Sequence, residues 1–268
     1  MNAEMLKLAK ELTESNDIDI ILDAYNKLIN GNNNVSTDDY NILDVEIYKK
    51  SLKIVHSTLG SVDLNFFKHQ DHLFDIFISE NDFEYVINHS RQIGITMIVT
   101  VALVYRAIRK REDIAYIHSN RGYVDSVIDI IHVNPEIMKH VVKINRYDGI
   151  TFNNGSKIYF YHHDRVSQIG KKDCIFIDNA AFISYSKDAK FDELMDINRF
   201  SKVIIASIPN YERGFFYDRF TKDSENIIKI EFPFSSLDDP FSPERKKEEV
   251  GEERYNQEYD CKFKPVQK

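Results

Sequence analysis

From Asn81 onward the sequence alternates short apolar runs with longer stretches of helical period, and this rhythm constrains the fold more than any other feature. The runs predict strands at Tyr85 to Asn88, Ile114 to His118, Cys174 to Asp178, Val203 to Ser207 and Ile227 to Phe232. Between them, Thr96 to Arg109, Tyr123 to Val133 and Tyr211 to Phe220 read as helices. Strands separated in this way imply an α/β fold, with a mainly parallel central sheet and helices on both faces. One stretch breaks the rhythm. GITFNNGSKIYFYHH holds two β-rich runs around Asn153-Asn154-Gly155-Ser156, a hairpin signal that belongs at a sheet edge.

Ahead of this core the chain reads as helices: MLKLAKELTES, IDIILDAYNKLI, a break at GNNNVS and a helix opened by Thr37-Asp38-Asp39. Residues 1–60 are therefore expected to form an N-terminal helical appendage, 61–263 the main domain and 264–268 a short tail. A chain of 268 residues holds one sizeable core with such an addition. The carboxyl region PERKKEEVGEERYNQEYDCKF reads as a charged, solvated helix. With 43% hydrophobic and 29% charged residues, the composition is that of an ordinary soluble protein. No apolar run approaches the roughly 20 residues that span a bilayer, and the amino terminus is not a targeting segment. The chain is thus expected to be cytoplasmic, with no membrane partner. Cys174 and Cys261 give neither a disulfide framework nor a zinc pattern. The net charge of −8 argues against a whole-surface grip on nucleic acid, although a local basic patch can coexist with it.

Chemistry enters at His89-Ser90-Arg91-Gln92-Ile93-Gly94-Ile95-Thr96-Met97, between the apolar Tyr85-Val86-Ile87 and a long amphipathic run. A phosphate loop works because successive backbone N–H groups and a helix amino terminus converge on anionic oxygens. Gly94 permits close approach, the helix begins directly after it, and Thr96 is placed to ligate Mg²⁺. Farther on, Cys174-Ile175-Phe176-Ile177-Asp178 is an apolar strand ending in aspartate, the arrangement that holds Mg²⁺ in P-loop NTPases.

In this order the fragments resemble the ATPase domain of the large terminase subunits of tailed bacteriophages, which are ATP-driven DNA-packaging motors. SRQIGIT is similar to the family's SRQ-aliphatic-GKT, and IFIDNAAFI to its aliphatic run, Asp-Glu, small residue and Ala-Phe-Ile. SKVIIASIPN followed by FFYDRF resembles the threonine-rich coupling motif, Pro-Asn and aromatic helix. Tyr255-Asn256-Gln257-Glu258-Tyr259 resembles the closing segment, and Phe67-Lys68-His69-Gln70 the element whose glutamine reads adenine. The likeness covers roughly Phe66 to Phe263. It implies a RecA-like (ASCE) P-loop fold that binds ATP and Mg²⁺. The nucleotide would meet Gln70, His89, Ser90, Arg91, Gln92, Gly94, Ile95 and Thr96. The metal would meet Thr96 and Asp178, and Ser207 and Asn210 would couple hydrolysis to motion. It also implies double-stranded DNA, the portal or other packaging subunits, and self-association as partners, with action in the host cytoplasm at the procapsid portal. The family continues into a nuclease domain, whereas this chain stops five residues after Phe263. No nuclease is expected on it unless it is a piece of a longer product.

Departures from the family pattern fall on nucleotide-handling positions. Ile95 stands where the lysine should be. Losing a hydrogen bond to a charged group removes about 1.5–3 kcal/mol, one or two decades of affinity, unless His89 or Arg91 substitutes. Asn179 stands where the family carries the water-activating glutamate. Its amide cannot take that proton, and loss of a general base costs about 10²–10⁴ in rate. Asp164 or Asp188 would have to replace it. Ala206-Ser207-Ile208 keeps one hydroxyl where three are usual, and Gln168-Ile169-Gly170 lacks an arginine found in the family. Hydrolysis is therefore expected to be weak or absent, the alternatives being an active motor that uses Arg91 or His89, or a non-enzymatic interaction protein acting on a packaging partner. His162-His163-Asp164 is not expected to bind metal, because neighbouring strand residues point to opposite faces. The pairs Lys171-Lys172 and Lys246-Lys247 read as solvated surface rather than a DNA path.

Overall fold

The computed structural model describes residues 44–56, 58–80, 84–236 and 242–266. The helices expected before residue 44 lie outside these. The first described elements are a short helix, α1 (Val45–Ser51), and an antiparallel hairpin of β1 (Lys53–His56) and β2 (Gly60–Asp63). The helical expectation up to Leu59 therefore does not hold beyond Ser51. Ile54 and Val55 are β-branched and favour strand, and Gly60 takes the positive φ of +73° that restarts the chain after the turn. Tyr48 of α1 is buried in the main core, where its hydroxyl donates to the Val101 carbonyl at 2.8 Å. Asn134 pins the hairpin, accepting from Lys53 N at 2.6 Å and donating to Lys53 O at 2.9 Å.

The main body alternates as the sequence predicts. Helix α2 (Lys68–Ile78) leads to β3 (Glu84–His89), α3 (Ile95–Arg109), β4 (Asp113–His118), α4 (Arg121–His132) and the single turn α5 (Pro135–Met138). Then come β5 (Val141–Asn145), β6 (Gly149–Phe152), β7 (Lys157–His162), β8 (Cys174–Asp178), α6 (Asp188–Ile197) and β9 (Lys202–Ser207). The last elements are α7 (Phe215–Thr221), β10 (Ile227–Phe232), α8 (Pro243–Val250) and α9 (Glu252–Glu258). Eight strands form one sheet in the order β10-β3-β9-β8-β4-β7-β6-β5. The six from β10 to β7 are parallel, and β7-β6 and β6-β5 are antiparallel. The Asn153–Ser156 turn joins β6 to β7 as its turn signal implies, but the hairpin is not the sheet edge, because β5 pairs along the outer side of β6.

Each central strand divides its side chains between two cores. Tyr85, Ile87, Tyr116, Phe176 and Ile204 face the layer of α2, α3 and α4, while Val86, Ala115, Ile117, Ile175, Ile177, Val203 and Ile205 face Phe191 and Leu194 of α6 and Phe215 and Phe216 of α7. Burial on both faces explains why these strands read as unbroken apolar runs.

In this order β9 stands between β3 and β8. Two local expectations are corrected. Helix α7 opens at Phe215, not Tyr211. Gly214 sits at φ +89° before it, Tyr211 bridges Lys264, and Glu212 N donates to Lys264 O at 2.8 Å. The carboxyl helix breaks at Gly251, at φ +85°, and its second part buries Tyr255 and Tyr259 against Phe234 rather than standing in solvent. No helix among the described residues is long and apolar enough to cross a membrane. Cys174 and Cys261 are free and buried.

Candidate functional site

The parallel strands end together, and the loops at their carboxyl ends form one crevice, as open α/β sheets require. β3 delivers Ser90–Gly94. Two residues bend this loop through left-handed backbone, Gln92 at φ 65° and Gly94 at φ 82°. The loop is held from outside, with Ser90 N donating to Phe232 O at 2.9 Å and Arg91 N to Glu258 O at 2.6 Å. Among the described residues, the N–H groups of Gln92, Ile93, Gly94, Ile95 and Thr96 meet no backbone acceptor. A run of unclaimed amides at the start of the 15-residue α3 has the geometry in which an anion can be held.

Gln70 braces the loop from α2. Its Nε2 donates to Ile93 O at 2.9 Å and its Oε1 accepts from Phe67 N at 3.1 Å. A Cβ on Gly94 would stand 2.6 Å from that Nε2, so the left-handed φ favours glycine and any side chain there would displace the Gln70 amide. Both ends of the Gln70 amide are therefore engaged within the protein. Beside it opens a cavity of about 830 Å³, walled by Phe67, His69, Gln92, Gly94, Met97 and Phe232. Its aromatic wall is not legible in the sequence beyond Phe67-Lys68-His69-Gln70, because Phe232 comes from the last strand of the sheet.

Thr96 and Asp178 meet across the crevice, the Thr96 hydroxyl donating to Asp178 Oδ1 at 3.3 Å. Tyr116 donates to the other carboxylate oxygen at 2.9 Å. Burial pushes the Asp178 carboxyl up to about 6, against the opposing hydrogen bonds from Tyr116, Thr96 and the Asn179 backbone. One hydroxyl and one carboxylate form the hard-oxygen pair that suits a Mg²⁺ held otherwise by phosphate and water. Asn179 follows in left-handed backbone at φ 55°, and its Nδ2 donates to Asp178 Oδ1 at 3.0 Å. The side chain that follows Asp178 thus donates to its carboxylate and carries no base.

The loop's cations are absent or engaged. Ile95 is buried in the core. His89 is held by burial down to about 4, hence neutral near pH 7, and its Nδ1 lies 2.9 Å from Ser90 O. Arg91 Nη1 donates to Glu258 Oε2 at 2.9 Å, and Arg254 meets the same oxygen at 3.1 Å. Ser90 is buried and its hydroxyl turns to the Arg91 carbonyl at 3.3 Å.

The other residues singled out by sequence bind locally. Ser207 Oγ accepts from Ala181 N at 3.1 Å, and Asn210 Nδ2 donates to Ala181 O at 3.3 Å. Both therefore hold the segment that follows Asp178-Asn179. Neither carboxylate considered as a replacement for the missing base is in reserve. Asp188 accepts from Phe215 N at 3.2 Å at the start of α7, and Asp164 is ion-paired with Lys187. Gln168 is exposed at the end of a 3₁₀ segment. The reason for discounting His162-His163-Asp164 needs correction. His162 ends β7 and His163 opens that 3₁₀ segment, so strand alternation does not apply, and ligand atoms of the three lie within 4.8 Å of one another. The Lys187 ammonium already rests on Asp164 there.

Sequence patterns also miss a carboxyl-terminal strap over the strand ends. Asn88 Nδ2 donates to Cys261 O at 2.8 Å, Gln257 Nε2 to Pro209 O at 3.0 Å, and Lys264 N to Asn210 O at 2.7 Å. Residues 257–264 thereby join the ends of β3 and β9, and through Glu258 the Ser90–Gly94 loop.

No family model matches the chain, and no curated protein sequence does. Among solved structures, a mutant form of the large terminase ATPase domain of Thermus phage P74-26 superposes with a TM-score of 0.56 at 15% identity, over 75% of this chain and 95% of that one. The large terminase of a thermophilic bacteriophage, in complex with ADP, gives 0.56 at 17% identity over 74% of this chain, and the same protein in complex with ATP-gamma-S gives 0.55 at 16%. The aligned region spans 54% of that second terminase's length. At these identities the likeness is one of fold. The chain has the RecA-like fold of phage large terminase ATPase domains.

Proposed function

We propose that the chain is a terminase-like ATPase module connected with phage DNA packaging, which binds nucleotide in the crevice between α2 and the sheet and hydrolyses it weakly or not at all. The observation that carries this reading is the Thr96–Asp178 pair at 3.3 Å, set at the mouth of a loop with unclaimed amides. In this reading the cavity walled by Phe67, His69 and Phe232 takes the base, and the amides of Gln92 to Thr96 take the phosphates. Thr96 and ionised Asp178 share a Mg²⁺, which neutralises phosphate charge when bound. Ser207 and Asn210 would pass changes at Asp178-Asn179 to β9 and the strap. The thermophilic bacteriophage terminase that shares this fold has been seen with ADP and with ATP-gamma-S, which supports nucleotide as the ligand class.

Weak hydrolysis follows from Asn179, because the two carboxylates considered in its place, Asp164 and Asp188, are bound elsewhere. An active motor built on His89 or Arg91 is disfavoured, the first being neutral and the second clamped by Glu258. Duplex DNA, held weakly by the isolated chain, and portal or other packaging subunits are the partners this reading assigns, with self-association supplying what one acidic domain lacks. We retain as the third reading an interaction protein that needs no nucleotide. Nucleotide titration and ATP turnover on the purified chain, with and without DNA, separate the three. Saturable binding with background turnover is expected. Robust turnover abolished by Asp178→Ala would favour the active motor, and partner binding with no nucleotide affinity the third reading.

A further inference from the structure

The phosphate loop offers amides but no available cation, so a triphosphate bound there would need its charge met from outside the loop. A second cavity, of about 360 Å³, shares Gln92 and Ile93 with the wide one and is closed on its far side by α8 through Ser242, Arg245 and Lys246. The second space therefore adjoins the loop at Arg91, Gln92 and Ile93, where the run of open amides begins. Three basic side chains line it, and two are committed. Arg91 is bound to Glu258, and Lys246 pairs with Glu249 at 3.0 Å while lying over the Tyr259 ring at 5.2 Å. Arg245 is exposed and forms no ion pair with a described residue. Its helix is capped by Ser242 Oγ, which accepts from Arg245 N at 3.3 Å, and it lies against Tyr259 through Lys246.

We propose that Arg245 takes over the work of the missing loop lysine, its guanidinium gripping the terminal phosphate of a bound nucleoside triphosphate. An arginine suits this position because its planar fork meets two phosphate oxygens at once and remains charged at every physiological pH. The inference rests on the nucleotide reading of the loop and adds the residue that tells a triphosphate from a diphosphate. It also explains how a chain with Ile95 can retain such discrimination.

The test compares fluorescent ATP and ADP analogues titrated, with Mg²⁺, into the full chain and into Arg245→Ala, Arg245→Lys and Lys246→Ala. Loss of a charge-assisted contact is expected to weaken ATP by about 10- to 100-fold in Arg245→Ala. ADP should change by less than about threefold, because the contact is to the terminal phosphate. Arg245→Lys should recover part of the loss, and Lys246→Ala, which removes a cation already paired with Glu249, should weaken ATP by less than Arg245→Ala does. Thermal melts check folding, which an exposed position should not disturb. Unchanged ATP affinity in Arg245→Ala, or an equal loss for both nucleotides, overturns the proposal while leaving the nucleotide reading intact. Absence of nucleotide binding by the unmodified chain overturns both.

Discussion

The junction after β3 works with main chain, whereas the junction after β8 works with side chains. At the first, Gln92 and Gly94 hold left-handed backbone and five consecutive amides stay open, although Ile95 adds no charge. At the second, Asp178 keeps its place opposite Thr96, but the next side chain is an amide that donates to it. A backbone device tolerates side-chain change, because its donors are present whatever residue carries them. A general base has no such reserve. On the proposed reading the two junctions divide binding from turnover, and each can be tested alone.

The largest effect is expected from installing the missing groups. Ile95→Lys with Asn179→Glu should raise ATP hydrolysis from background by about 10²–10⁴, the usual contribution of a positioned base. Steady-state phosphate release measures it. No gain, with nucleotide binding intact, would mean that the second junction departs in more than one side chain.

Next comes the charge on Asp178. Burial raises its carboxyl to about 6, above the ordinary carboxylate range, so the folded state holds more protons than the unfolded one between about pH 4 and 6. This group's contribution to stability is thus complete below about 4 and is lost as pH rises to about 6. Neutralising it with Asp178→Asn should therefore stabilise the fold, relative to the unmodified chain, by on the order of 3 kcal/mol at pH 7 compared with pH 4. His89, His118 and His163, each held by burial down to about 4, give the opposite slope in the same window. The readout must therefore be the difference between the two proteins in urea unfolding at each pH. A difference that does not change with pH would show that Asp178 ionises normally.

Gly94→Ala probes the first junction. Left-handed backbone and the contact with Gln70 Nε2 should together cost roughly 1–3 kcal/mol in the same unfolding assay and weaken nucleotide binding. An unaffected variant would mean that the loop does not depend on its backbone geometry. Smallest is Glu258→Gln, which frees an Arg91 that is 46% exposed. Stability should shift by less than about 1 kcal/mol, and ATP affinity should rise about two- to fivefold as the guanidinium becomes available.

Much of this fold is written locally in the chain. Strands buried on both faces read as unbroken apolar runs, so their positions are legible, and Gly94 with the following helix marks the loop. The lateral order of parallel strands is not local. Any of them can neighbour another through a crossover, which is why β9 between β3 and β8 has no sequence signal. The capture of Arg91 by Glu258, the use of both ends of the Gln70 amide and the position of Arg245 depend on tertiary approach. His162 and His163 escape the alternation rule for a smaller reason, since the strand ends one residue sooner than that rule assumes.

The strap across the strand ends also bears on when the site can form. Asn88 meets Cys261 across 173 positions of sequence, and Arg91 meets Glu258 across 167. Contacts of such separation close last, because the loop entropy they cost must be met before they return anything. During synthesis β3 and its loop leave the ribosome well before their anchors exist. The concavity is therefore finished only once α9 and the strap have been made, and a chain cut before α9 would keep its sheet while leaving the loop without the carbonyl and carboxylate that fix it.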